Sequence, residues 1–243
     1  MVRNKIRLGI NIDHIATIKT NRKTSYPSLI EAVKIAEDSG ADLITVHLRE
    51  DRRHIQDQDL KDIKSVAQKL NLEMALTEEM LGICLQTKPN FCCIVPERRE
   101  ELTTEGGLDI SGMTESKFNF LKEVIDTLSK NNIVPSLFID PDIKQIDSTL
   151  ESGAKCIELH TGTYSDAIDL DHREMEMSRL KSAAEYASDN KIRVHAGHGL
   201  NLSKVCRITQ IEEVNIGHSV VADSIFKGLK SAVQDFRSAL DND

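Results

Sequence analysis

No run of this sequence is apolar for the roughly 20 residues that a membrane-crossing helix requires, so a bilayer is not among its expected partners. Nothing resembling a linker interrupts it either. It has no stretch rich in proline, glycine or serine and no low-complexity tract, so its 243 residues are expected to form one domain over 1–243. The five cysteines include no Cys-x-x-Cys, and Cys92 and Cys93 are adjacent. That pattern fits neither a disulfide framework nor a zinc site, and buried, reduced thiols are expected. There is no basic excess: the formal net charge of −8 disfavours nucleic acid and anionic membranes as partners, since both call for a positive surface. Small anions remain possible ligands if a local cationic site is built. The stretch Met1 to Ile10 has basic residues but no apolar segment of secretory-signal length behind them, so a cytoplasmic protein is expected.

What the chain does have is a simple repetition. Eight short segments carry period-two character: Leu8–Asp13, Leu43–Arg49, Asn71–Leu76, Phe91–Val95, Val134–Asp140, Cys156–His160, Ile192–Gly197 and Val214–Gly217. Helix-like stretches lie between them. Ser28–Ser39 carries Leu29, Ile30, Val33 and Ile35 and is closed by Gly40, while Gly153 closes Ile143–Ser152; Lys117–Lys130, Glu174–Asp189 and Val220–Leu240 are long enough for full helices. Strand then helix, eight times over, predicts an α/β fold of the (β/α)₈ (TIM) barrel type.

The strands are two-sided. Ile10 and Ile12 oppose Asn11 and Asp13; Leu72, Met74 and Leu76 oppose Asn71, Glu73 and Ala75; Ile157 and Leu159 oppose Glu158 and His160; Val194 and Ala196 oppose His195 and Gly197. In a barrel the aliphatic set should meet the helices and the polar set should face inwards, where apolar side chains are the rule. An unpaired buried charge costs several kcal/mol, so such an interior makes sense mainly as a reaction site.

Leu43–His54 carries this furthest, because its inward set, Thr45, His47 and Arg49, ends in an imidazole and a guanidinium and runs on into Arg52, Arg53 and His54. Such a cluster suits an anionic ligand such as a phosphate. Six of the eight histidines, His14, His47, His54, His160, His198 and His218, fall at or just after the C-terminal ends of strands, the face on which barrel enzymes carry their sites. Glycine turns at Gly197-His198-Gly199 and Gly217-His218 follow the seventh and eighth strands, each expected to lead into a helix whose N-terminus could hold a phosphate. Glu73, read near the start of its strand, should lie deep, where a desolvated carboxyl passes protons near neutral pH or pairs with Arg49. The segment from Pro96 to Met113 is long for a barrel turn and reads as a lid, with Gly106 and Gly107 as a hinge. No His-x-His on the first strand and no cysteine set supports a metal centre.

Together Asn11–Thr17, Val46–Ile55, Asn71–Met80, Lys88-Pro89 with Phe91–Glu97, Thr103–Asp109, Glu158–Gly162 and the two His-Gly turns resemble the pyridoxine 5′-phosphate synthase family of vitamin B6 biosynthesis, over nearly the whole chain. The resemblance implies a barrel enzyme, a transferase, that condenses 3-amino-2-oxopropyl phosphate with 1-deoxy-D-xylulose 5-phosphate and releases inorganic phosphate and water, without metal or organic cofactor. By position it implies His47 and Glu73 as proton acceptors, His198 as proton donor and Glu158 as a transition-state stabiliser. Asn11, Asp13, His14, Arg22, Arg49, His54, Thr103, Gly199, Gly217 and His218 would contact the two phosphorylated substrates. It also implies a homo-octamer of dimers, in which the polar stretch Lys19–Pro27 would be ordered by a neighbour and could deliver Arg22 across the interface. Two positions depart from the family pattern: His195 stands where Asn is usual, with a possible effect beside His198, and Ala222-Asp223 replaces a small, basic pair, which would change charge near the phosphate turn. A non-catalytic phosphate-binding barrel and a metal-dependent barrel hydrolase are the competing classes.

Overall fold

A computed structural model describes residues 5–97, 106–202 and 208–241. Eight strands, β1 (Arg7–Asn11), β2 (Leu43–His47), β3 (Leu70–Met74), β4 (Phe91–Ile94), β5 (Val134–Ile139), β6 (Cys156–His160), β7 (Arg193–Gly197) and β8 (Ile211–Ile216), close into a barrel in chain order. Each pairs in parallel with both neighbours. The aliphatic set faces out: Leu8, Ile10, Ile44, Val46, Leu72, Leu159 and Val194 are buried between barrel and helices, as the alternation requires. The opposite set meets across the interior, where Thr45 Oγ1 donates to Asn215 Oδ1 at 2.9 Å and Asn215 Nδ2 donates to Glu158 Oε2 at 2.7 Å. The four described cysteines, Cys84, Cys92, Cys93 and Cys156, are free and buried.

The described residues form ten α-helices: α1 (Asp13–Arg22), α2 (Leu29–Asp38), α3 (Asp57–Val66), α4 (Glu78–Thr87), α5 (Glu115–Lys130), α6 (Ile143–Ser152), α7 (Gly162–Asp166), α8 (Leu170–Asp189), α9 (His218–Lys227) and α10 (Leu229–Asp241). Helices α2, α4, α5, α6 and α8 begin on Ser28, Thr77, Thr114, Asp142 and Asp169, whose side chains accept a first-turn N–H. Gly153, at φ +87°, ends α6 as expected. Val220–Leu240 is not one helix: Gly228, at φ 79° and ψ 150°, breaks it into α9 and α10. Between β7 and β8 the described residues hold no α-helix, and residues 203–207 lie outside them.

Helix α10 locks the barrel's seam. Ala232, Val233, Phe236 and Leu240 make its buried stripe, and Arg237 donates to Asp42 Oδ2 and to the Ile6 carbonyl, each at 3.0 Å. The chain's last helix is thereby tied to the strand that opens the barrel.

Candidate active site

At the C-terminal end of the strands lies a cavity of about 520 Å³, within the usual range for small-ligand sites. Its floor carries two carboxyl groups. Glu158, in the middle of β6, accepts from Asn215 and lies 4.0 Å from Cys93 Sγ. Burial, with the Glu213 charge adding, pushes its pKa up to about 7 against the opposing pull of His195 and the Asn215 bond. Glu73 lies in register with His47 on β2 and Cys93 on β4. Because β3 runs from Leu70 to Met74, Glu73 is next to the strand's end rather than near its start, and it reaches the cavity at the level of His47. Burial, then Glu158 and Asp13, hold its pKa well above the ordinary carboxylate value. Asn11 Nδ2, 3.5 Å from Glu73 Oε2, also donates to Asp13 Oδ2 at 3.0 Å.

Asp13 opens α1, and its carboxylate accepts the His47 backbone N–H at 3.0 Å, which ties the ends of β1 and β2 together. The His47 ring points to Glu97, with Nε2 3.5 Å from Oε2. Glu97 also accepts the Glu50 N–H at 2.8 Å and lies 3.8 Å from Arg49 Nε. Although burial works the other way, His47 and Arg49 bring its pKa below the ordinary value. Glu97, whose side chain is 1% exposed, is a site residue the sequence reading did not single out. Arg49 also pairs with Asp51 at 3.2 Å.

The remaining histidines form two groups. His14 lies 5.0 Å from His218 and 6.4 Å from His54 between ring centroids, and His54 Nδ1 meets Thr17 Oγ1 at 2.7 Å. Burial and the neighbouring rings lower the pKa of His14, and that of His54 to about 4. Opposite them, His198 packs 5.0 Å from His160 and 6.5 Å from Phe138. Burial first, then His160, bring the His198 imidazole down to about 4. His198 is held at φ +78°, a left-handed conformation costly for a side-chain-bearing residue, and Gly199 follows at φ +75°. The β6 end builds this turn: Thr161 Oγ1 lies 2.7 Å from the Gly197 carbonyl and 2.6 Å from that of His198.

Helices α1 and α9 open directly from β1 and β8 on Ile12 and Gly217, with no side-chain cap. The first-turn N–H groups of α9 thus remain available to an anion at the cavity, where His14, Gly217 and His218 line the wall, whereas in α1 the Asp13 N–H donates to Asn11 Oδ1 at 2.9 Å and the Ile15 N–H to the Ile12 carbonyl at 3.0 Å. Gly199 lines it as well; Arg49 and His54 stand behind it, on the β2–α3 connection.

Several expectations change. Arg22 is exposed on the last turn of α1, away from the cavity wall, and Lys19–Arg22 is helical rather than loop. Thr103, with residues 98–105 of the expected lid, lies outside the described residues. Gly107 is not built as a hinge: its N–H donates to Asp140 Oδ1 at 3.0 Å, and a Cβ there would stand 2.2 Å from the Asp140 nitrogen, so close packing on β5 is what requires glycine. His195 is not beside His198 but below it, 3.2 Å from Glu213 Oε1 and 3.2 Å from Arg7 Nη2. Asp223 pairs with Lys227 at 3.1 Å. Among the described residues, no group of three or more His, Cys, Asp or Glu is placed to hold a metal ion, and no helix is long and apolar enough to cross a membrane.

Fold and cavity together define a (β/α)₈ barrel with an acid/base site at the C-terminal mouth of its strands. Residues 8–242 match the family model described as pyridoxal phosphate biosynthesis protein PdxJ, and the chain belongs to that family. It is 50% identical over 238 residues to the pyridoxine 5′-phosphate synthase of Photobacterium profundum, covering 96% of each chain. With the protein of the same name from a Sulfurihydrogenibium species it shares 48% over 244 residues, 98% of each. Among solved structures, a 3-hexulose-6-phosphate synthase superposes with TM-score 0.62 at 12% identity, covering 96% of this chain and 99% of that one. KGPDC from Streptococcus mutans gives 0.64 at 11% identity, over 98% and 99%. These two likenesses concern the fold alone.

Proposed function

We propose that this chain is a pyridoxine 5′-phosphate synthase that condenses 3-amino-2-oxopropyl phosphate with 1-deoxy-D-xylulose 5-phosphate, giving pyridoxine 5′-phosphate, inorganic phosphate and water. The observation that carries the reading is membership of the PdxJ family along nearly the whole chain. The reaction joins an amine to a ketone, dehydrates, expels a phosphate and closes a ring, and each step moves a proton on or off oxygen, nitrogen or carbon. His47 and Glu73 take protons in this reading. Glu73 suits the task because a carboxyl with a raised pKa is a stronger base once ionised. Glu158 meets positive charge that develops above the floor, and His198 donates.

With its pKa near 4, the His198 imidazole is mostly uncharged at neutral pH and poorly placed to act as a general acid. A phosphate dianion arriving at the cavity reverses that balance, so substrate binding charges the donor. The open N-terminus of α9 supports a phosphate subsite there, with His14, His218, Gly199 and Gly217 at the wall and Arg49, His54 and Thr103 as further contacts. The reading extends to a cytoplasmic homo-octamer of dimers in which Arg22, solvent-facing on its own subunit, serves a neighbour's site. Incubating the two substrates with the protein and following pyridoxine 5′-phosphate by mass tests the reaction. Product is expected, and two substrates left intact would overturn the reading.

A further inference from the structure

One pair of side chains at the far wall has no part in the roles above. His160, the last residue of β6, is buried, with Nδ1 3.0 Å from Asp140 Oδ1, and its Nε2 is enclosed without a hydrogen-bond partner among the described residues. Asp140 follows β5 and is anchored from the other side by the Gly107 N–H. The carboxylate fixes Nδ1 as the donor and so orients the ring, leaving Nε2 on the side of His198. The space between the two rings is kept open by a glycine: a Cβ on Gly162 would stand 2.5 Å from His160 Nε2 and 3.1 Å from His198 Cδ2.

We propose that Asp140 and His160 form a positioning pair for His198, holding its imidazole in place and uncharged until an anionic substrate arrives. This rests on the donor role given to His198 above. Two charged or titratable groups face His198 among the described residues: His160 from β6, which disfavours its protonation, and Asp166 from α7, which favours it. Phe138 from β5 and Thr161 contribute no charge. His160 acts in the same direction as burial, so the donor leans to its uncharged form, and a proton is not drawn in before there is a leaving oxygen to receive it.

The test is the titration of the His198 ring in histidine-labelled protein, assigned with His198→Asn and followed by NMR without substrate. Removing the pair's influence in His160→Gln should raise the His198 midpoint by about half a pH unit or more. Asp140→Asn keeps an oxygen for the Gly107 N–H but takes a negative charge away from the His160–His198 cluster, so it should lower the midpoint instead. The high-pH limb of kcat, where the donor loses its proton, should move with the midpoint while KM stays within about twofold. A midpoint unchanged in both variants would overturn the proposal, as would a KM rise with the kcat profile fixed. The titration does not depend on turnover: wild-type protein that forms no pyridoxine 5′-phosphate refutes the reaction reading, and it does so separately from the result for the pair.

Discussion

Replacing Glu158 by Gln should change how the protein's stability depends on pH more than it changes stability at any one pH. A free glutamic acid ionises near 4.5, whereas Glu158 in the folded barrel does so near 7. The folded state is therefore the better proton binder. Its advantage is fully present below pH 4.5 and is lost as pH rises through 7, by about 1.4 kcal/mol per unit, or about 3 kcal/mol in all. Gln has no such proton to lose. It can still accept from Asn215, and the new amide N–H groups leave an unmet bond of roughly 1–3 kcal/mol that does not vary with pH. Glu73 also loses a like charge, which adds to the gain at high pH. His14, His54 and His198, whose pKa values are lowered, disfavour the fold as pH falls in both proteins and cancel in the comparison. Urea midpoints at fixed protein concentration between pH 4.5 and 8 would measure the difference. The variant should gain on the wild type steadily to about pH 7 and then hold level. Two parallel curves would mean that Glu158 is ionised in the fold at all these pH values, and the floor described above would be wrong.

Glu73→Gln should keep the fold and substrate binding but lower turnover by about 10²- to 10⁴-fold; near-normal kcat would remove Glu73 from the proton-transfer set. Gly107→Ala should destabilise by roughly 1–3 kcal/mol, since the new methyl meets β5 backbone, and an unchanged melting temperature would restore the hinge reading. Adding a phosphate-bearing substrate should raise the His198 midpoint from near 4 towards neutrality, visible by NMR; no movement at saturation would deny that the ligand charges the donor.

The strands were legible because an alternating set survives in each, and one polar set pointing inwards was enough to place the site at the barrel's mouth. Four helices left weaker traces. Helix α1 buries only Asp13, Ile15 and Ala16, all in its first turn, and α4 buries only Met80 and Cys84, so neither carries a full apolar stripe. Glu97, Asp140 and Asn215 were illegible for another reason. Each matters through a partner distant in sequence, His47, His160 and Glu158 respectively, and no local pattern marks a carboxylate or amide for such a meeting. Glu73 was found as a residue but misplaced along its strand, because the ends of a strand depend on its neighbours' register.

The interior stays tolerable because its charges are matched layer by layer. At the bottom, Arg7 meets Glu213 at 2.9 Å, and Glu213 meets His195 at 3.2 Å, which brings the carboxyl's pKa below its ordinary value despite burial. Asn215 spans the next step: one amide donates to Glu213 Oε1 at 3.2 Å and to Glu158 Oε2 at 2.7 Å, linking a paired layer to the cavity floor. Above it the logic reverses. Glu73 and Glu158 are raised and His198 and His54 are lowered, so carboxyls and imidazoles alike lean to their uncharged forms. A cavity of that kind adds little to the −8 of the whole chain at its own mouth and spares an entering dianion the repulsion of ionised carboxylates. In the function proposed above, the field of a bound dianion would favour protonated imidazoles, so the charge that the substrate brings would turn a neutral pocket into a set of donors.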